Sequence, residues 1–194
     1  ATTLAELLAD PLVARWGAPL REAAAVFANP LVRNRATVGG NLADASPAAD
    51  CAPPLLALAA AVDLAGRRGT RCLPLDEFFL GVRRTALAPG EVLAAVRWPV
   101  PPEGSAAGFH KLGLRRADAV AVLSAAVFVA AHAGRIGDAR IALGAVAPRP
   151  LRAVAAERSL VGLSPAGAGA SGALGEAARL AAQAACPIDD VRGS

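Results

Sequence analysis

Six residues divide this chain. Val100-Pro-Pro-Glu-Gly-Ser105 carries two prolines and a glycine in a short polar stretch, and proline neither continues a helix nor sits inside a sheet. The patterning differs on its two sides. Before it, Thr3 and Glu6 have the spacing of a capping box opening a short helix. Pro19 to Ala28 has Leu20, Ala23, Ala24 and Phe27 at helical spacing, and Asn29-Pro30 should stop that helix. Pro53 to Ala60 reads as a buried helix entered through prolines. Ala61–Ala65 and Arg71–Pro74 read as a hairpin with Gly66 or Gly69 in its bend, Leu75–Leu80 as a helical turn, and Gly90–Pro99 as a strand. After it, Phe109–Arg116, Val120–Ala131 and Ala139–Val146 read as three strands with short turns at Ala117-Asp118 and Ala133–Gly137, hence an antiparallel sheet. Arg152–Leu160 and Gly175–Ala185 read as covering helices, and the Gly/Ala/Ser-rich stretch from Ser164 to Gly172 as a mobile loop. The pattern reads as two units that meet at this linker.

Composition narrows the function. With 55% hydrophobic residues and a mean hydropathy of +0.44, the 194 residues can bury a core. The net charge is +4, but the arginines are scattered in pairs (Arg33/Arg35, Arg67/Arg68, Arg83/Arg84, Arg115/Arg116) with only 4% aromatics, so a solvated basic surface is expected and a nucleic-acid partner is not. Cys51, Cys72 and Cys186 lie far apart, with no zinc or iron–sulfur spacing, and their odd number fits a reducing, cytoplasmic setting. The longest apolar run, Ala119 to Ala133, contains Ser124 and His132 and falls short of the ~20 residues of a membrane span. Methionine is absent, which predicts that Ala1 is not the natural start.

The chemistry-bearing stretch is Asn34 to Asp50. Gly39 and Gly40 are adjacent, with Thr37, Asn41, Asp44, Ser46 and Asp50 around them. Adjacent glycines permit positive φ and close approach of backbone N–H groups to another molecule, and successive N–H groups can form a concave anion site. The reading is a loop that grips a phosphate-bearing ligand; a plain turn is the alternative.

Taken with its flanks, Phe27-Ala-Asn-Pro-Leu-Val-Arg-Asn-Arg-Ala-Thr-Val-Gly-Gly-Asn-Leu-Ala-Asp-Ala-Ser-Pro-Ala-Ala-Asp50 resembles the second FAD loop of the molybdenum hydroxylase flavoproteins. These are the medium subunits, or middle domains, of the xanthine dehydrogenase and carbon monoxide dehydrogenase family. The resemblance continues, in order, through Phe78–Leu93, Phe109–Ala121, Pro148–Glu157 and Pro187–Ser194. It implies an α+β fold class in which residues 1–102 are the second subdomain of a two-subdomain FAD-binding fold, followed at 103–194 by a small domain with a three-stranded antiparallel sheet and helices, a division that falls at the proline linker. The earlier Ala-Gly-Gly-Thr loop of the first subdomain and a terminal helix after Arg-Gly-Ser are not in this sequence, so the chain reads as truncated at both ends.

Carried over position by position, the resemblance implies that Thr37, Val38, Gly39, Gly40 and Asn41 bond the FAD pyrophosphate and its neighbours. Asp50 would stand near the ribityl or diphosphate part. An ionised carboxylate cannot donate to a phosphate, so a hydroxyl or N–H is its partner there; capping the helix at Pro53 is its competing role. Phe27 and Leu93 would pack against cofactor rings, although singly such residues are more often core. Lys111, the only lysine, would lie near the flavin and offset negative charge on it. His110 and His132 have no ligand or base spacing, no catalytic residue or metal ligand is expected, and Arg115-Arg116 reads as surface or interface. The implied function is electron transfer from iron–sulfur clusters through FAD to NAD or a quinone, with a molybdenum-cofactor large subunit and a [2Fe-2S] small subunit as partners. The alternatives are a flavin-free structural or subunit-interaction module of the same family and, further off, another flavoenzyme of the wider FAD fold, against which Lys111–Ala121 and Arg152–Glu157 argue.

Overall fold

A computed structural model describes residues 1–115, 117–167 and 169–190. α1 (Leu4–Ala9) opens with the expected capping box: Thr3 Oγ1 accepts from the Glu6 N–H, and the Glu6 carboxylate accepts from the Thr3 N–H at 2.7 Å. Asp10 then caps α2 (Pro11–Trp16), a helix the periodicity did not reveal because it is only six residues long and buries none of them. α3 (Ala18–Ala25) buries Leu20, Ala23 and Ala24, as its spacing predicts. It ends before Asn29-Pro30, and Asn29 instead caps a single turn, α4 (Pro30–Arg33), accepting from the Val32 N–H at 3.1 Å.

α5 (Val38–Asp44) covers the glycine pair, and α6 (Ala52–Ala57) is buried over its whole length. β1 (Ala61–Gly66) and β2 (Gly69–Pro74) form the expected hairpin, with Gly69 at φ +113° in the bend. Next come α7 (Leu75–Phe78) and a small hairpin of β3 (Phe79–Gly81) and β4 (Arg84–Thr85), which was not expected. β5 (Val92–Arg97) joins the first hairpin to give an antiparallel sheet of order β2-β1-β5.

Beyond the prolines lie β6 (Ser105–Gly113), β7 (Ala121–His132) and β8 (Arg135–Gly144), an antiparallel run as predicted. A two-residue fourth strand, β9 (Leu151–Arg152), extends the order to β6-β7-β8-β9. α8 (Val154–Leu160) and α9 (Ala170–Ala184) cover one face. Of the expected loop, only Ser164–Gly169 precedes α9, and its Ala168 lies outside the described residues, as do Arg116 and 191–194.

The strand period of two sends alternate side chains to opposite faces. Ala126, Phe128 and Ala142, with half-buried Ala107 and Phe109, face α3 and α6 and share a core with Leu4, Leu20, Leu42, Leu55, Val62 and Phe78. That core runs across the proline segment. Ile136, Ile141 and Leu143 face the other way, against Ala153, Ala156, Leu160 and Ala177. Gly144 marks the tightest contact of the first face: a Cβ there would stand 2.6 Å from Ser124 Oγ and 2.7 Å from Pro53 Cγ, so α6 lies directly against the β8 backbone.

Candidate functional site

The glycine pair is helical rather than looped. Thr37 is extended (φ −110°), and its Oγ1 accepts from the Gly40 N–H at 2.9 Å, so it is the N-cap of α5. Gly39 and Gly40 therefore lie within a right-handed turn, and the expected use of positive φ is not realised there. What Gly40 supplies is space: a Cβ would stand 2.9 Å from Thr37 Oγ1. The left-handed residue of this segment is Ala45, at φ 48°, which ends the helix. The expected row of free N–H groups also shrinks. The Val38 N–H donates to Thr2 O at 3.2 Å and the Asn41 N–H to Thr37 O at 3.0 Å. Only the Gly39 N–H, among the N–H groups of Val38 to Asn41, has no partner among the described residues. Asn41 Oδ1 accepts from the Cys51 N–H at 3.1 Å, tying α5 to the entry of α6.

Asp50 and Lys111, 61 residues apart, meet. The Lys111 ammonium donates to Asp50 Oδ2 at 2.7 Å, and the two side chains are 7% and 6% exposed. Asp50 Oδ1 is buried without a hydrogen-bond partner among the described residues. Burial raises the carboxyl pKa above the ordinary 3.8, and Lys111 works against that rise. The competing capping role is not taken up: Cys51 is the N-cap of α6, with no side-chain bond. The Cys51 thiol, buried and next to the Asp50 charge, is pushed up to about 12, which makes it inert at neutral pH. A buried ion pair costs desolvation, and a carboxylate oxygen left without a donor adds to that cost unless a hydroxyl or water meets it.

A cavity of about 270 Å³ opens beside the start of α5, where Val38, Gly39 and Leu93 meet Leu7, Leu20 and Trp98. Leu7, Leu20 and Trp98 sit where helical or strand periodicity reads as core, so the sequence does not mark them as site residues. The Trp98 indole N–H donates to Trp16 O at 3.0 Å, which fixes that wall. Phe27 stands apart from the cavity: its ring packs on the first core, and its carbonyl accepts from Arg33 Nη1 at 2.8 Å. Thus Val38, Gly39 and Leu93 share a cavity, Thr37 and Gly40 close the cap, Asn41 braces two helices, and Asp50 and Lys111 pair. Arg115 donates to Asp118 O within its own loop, and His110 is exposed. Among the described residues no group of His, Cys, Asp and Glu could hold a metal ion, and no helix is long and apolar enough to cross a membrane.

A mixed α/β unit with a glycine-bearing helix start, joined to a sheet that delivers a buried lysine, matches two protein-family models. "FAD binding domain in molybdopterin dehydrogenase" covers residues 1–101, and "CO dehydrogenase flavoprotein C-terminal domain" covers 109–194. The chain belongs to this family, the FAD-binding subunits of molybdenum-containing dehydrogenases. Among its relatives, the carbon monoxide dehydrogenase medium chain of Afipia carboxidovorans is 35% identical over 192 residues, covering 99% of this chain and 65% of that one. The xanthine dehydrogenase FAD-binding subunit of Escherichia coli O157:H7 is 32% identical over 160 residues, 82% of this chain and 55% of that one. Among solved structures, the reconstituted CO dehydrogenase from Oligotropha carboxidovorans superposes with a TM-score of 0.92 at 34% identity, covering 99% of this chain and 65% of its counterpart. The chain thus spans between about half and two thirds of these relatives' length.

Proposed function

We propose that this chain is the FAD-holding part of the electron-transfer subunit of a molybdenum hydroxylase. The observation that carries the reading is the buried Asp50–Lys111 pair with its unpartnered Oδ1. An acceptor buried without a donor fits a ligand rich in hydroxyl groups, and the ribityl chain and ribose of FAD are that. The Gly39 N–H is a donor for a diphosphate oxygen, approached without hindrance from a side chain. Val38 and Leu93 supply apolar wall, Thr37 and Asn41 hold the backbone that presents Gly39, and Phe27 supports that segment from the core. Lys111 holds a fixed positive charge at the site, screened little because it is buried. The 270 Å³ cavity is smaller than the ~300–1,000 Å³ usual for a pocket that engulfs a ligand, so Val38, Gly39 and Leu93 form one wall of the site.

When bound, FAD supplies the redox chemistry, taking electrons from iron–sulfur clusters and handing them to NAD or a quinone. The partners of this reading are a molybdenum-cofactor large subunit and a [2Fe-2S] small subunit, in a reducing cytoplasm where Cys51, Cys72 and Cys186 stay free. A second reading, a flavin-free interaction module, draws on one observation: Thr37 Oγ1 and the Gly40 N–H already satisfy each other. The visible spectrum of the purified gene product, followed by FAD titration, decides between them. A yellow protein, or one that takes up FAD at one per chain and loses that uptake in Asp50→Ala, supports the flavoprotein. A colourless protein that takes up none leaves the interaction module.

A further inference from the structure

We propose that Glu22 is a positioning residue for the Lys111–Asp50 pair, acting through the backbone of β6. β6 is an edge strand: β7 pairs with one side, and the other side looks at α3. On that outer side the Phe109 N–H donates to Glu22 Oε2 at 2.7 Å, across 87 residues of sequence. This is the one side-chain hydrogen bond to the β6 backbone among the described residues, and it stands where a further strand would otherwise supply the acceptor. A carboxylate accepting from a backbone N–H makes a short, charge-assisted bond, stronger than a neutral one.

The position along the strand gives the bond its consequence. Phe109 and Lys111 are two residues apart, so their side chains leave on the same face, about 7 Å from each other along the strand. That face looks into the first unit, where Phe109 packs on the core and Lys111 meets Asp50. A lysine side chain has four flexible methylenes and loses much rotamer freedom when held. Its ammonium reaches a buried oxygen in one geometry only if its Cα is held. α3 is a firm anchor, since Leu20, Ala23 and Ala24 are buried on either side of Glu22. β6, by contrast, starts directly after the proline segment and is paired on one side alone. Glu22 thus fixes β6 at the residue pair next to the lysine. The carboxylate is exposed, like most helical glutamates, but its bond crosses from the first unit to the second, which a solvated helix face does not require.

The flavin arm of the test rests on the function proposed above; the first arm does not. Lys111 is the only lysine, so lysine-selective ¹⁵Nζ labelling gives one ammonium resonance whose hydrogen exchange reports the pair. Asp50→Asn sets the unpaired reference. Glu22→Ala is expected to speed exchange of both the Lys111 ammonium and the Phe109 amide about tenfold, the order of one charge-assisted bond. Glu22→Gln, whose amide oxygen still accepts but without the charge, is expected to speed exchange by about threefold, between the unaltered chain and Glu22→Ala. Unchanged ammonium exchange in Glu22→Ala, with fast exchange in Asp50→Asn, overturns the proposal; so does Glu22→Gln behaving like Glu22→Ala. In the second arm, FAD is titrated into Glu22→Ala, Lys111→Met and the double variant. Affinity about tenfold weaker in Glu22→Ala, with the double variant no weaker than Lys111→Met, supports action through the lysine, and additive losses overturn it. Lys111→Met binding FAD like the unaltered chain removes the flavin reading, and the ammonium exchange then decides Glu22.

Discussion

The two faces of the four-stranded sheet are built from the same strands and behave differently. The inner face sends Ala126, Phe128 and Ala142 into a core closed by α3 and α6, so tightly that Gly144 has no room for a methyl group. The outer face sends Leu123, Val127, Ile141 and Leu143 toward α9, whose facing residues are mostly alanines (Ala177, Ala178, Ala181 and Ala182), with Leu174 at one end and Leu180 alongside. Alanine is too short to fill the gap, and a cavity of about 380 Å³ remains. The face that delivers Lys111 is therefore the rigid one. Placing a buried ion pair needs fixed backbone on both sides, and only the inner face provides it.

The largest expected effect tests that rigid side directly. Lys111→Met leaves Asp50 buried without its cation and should lower unfolding stability by about 3–5 kcal/mol in urea melts at neutral pH. A loss under about 1 kcal/mol in that melt would mean that the pair is solvated. Next comes a matched pair of enlargements. Ala126→Leu on the inner face should cost about 1–3 kcal/mol through overpacking. Ala181→Leu on the outer face should instead gain about 0.5–2 kcal/mol by filling the cavity. If both variants shift stability in the same direction, the contrast between the faces is wrong.

The smallest effects are pH slopes, and they have opposite signs. Glu91 is held down to about 2, from 4.5, by the Arg71 guanidinium and then by the Ala88 N–H. A depressed folded value means that its stabilisation is present above 4.5 and lost as pH falls toward 2; Glu91→Gln should flatten that fall. Asp50 is raised above 3.8 by burial, so the folded chain keeps its proton to higher pH than the unfolded one. Its contribution favours the fold at low pH and is lost as pH rises from 3.8 through the folded value; Asp50→Asn should remove that decline. Urea melts between pH 2 and 6 read both, and ¹³C titration of the two carboxyls assigns them.

Local signals were legible in proportion to how local they are. The capping box at Thr3 and Glu6, the hairpin around Gly69 and the three long strands follow from spacing within a few residues, and each formed. α2 and the β3–β4 hairpin were not legible, being too short to show a period. The conformation of the glycine pair is hard to read from sequence for a similar reason. Gly-Gly permits both a left-handed turn and a helix start, and the choice fell to Thr37, whose hydroxyl takes the Gly40 N–H and closes the first helical turn.

Sequence alone marked the segment that bears the glycines and the change of pattern at the prolines, and the family resemblance pointed to Asp50 and Lys111 one by one. That the two meet at 2.7 Å, that Oδ1 is left over, and that Glu22 clasps the strand that carries Lys111 were decided only in three dimensions. Contacts across 61 and 87 residues depend on where β6 comes to rest against α3. That position is set by the fit of a shared core, which no local pattern encodes.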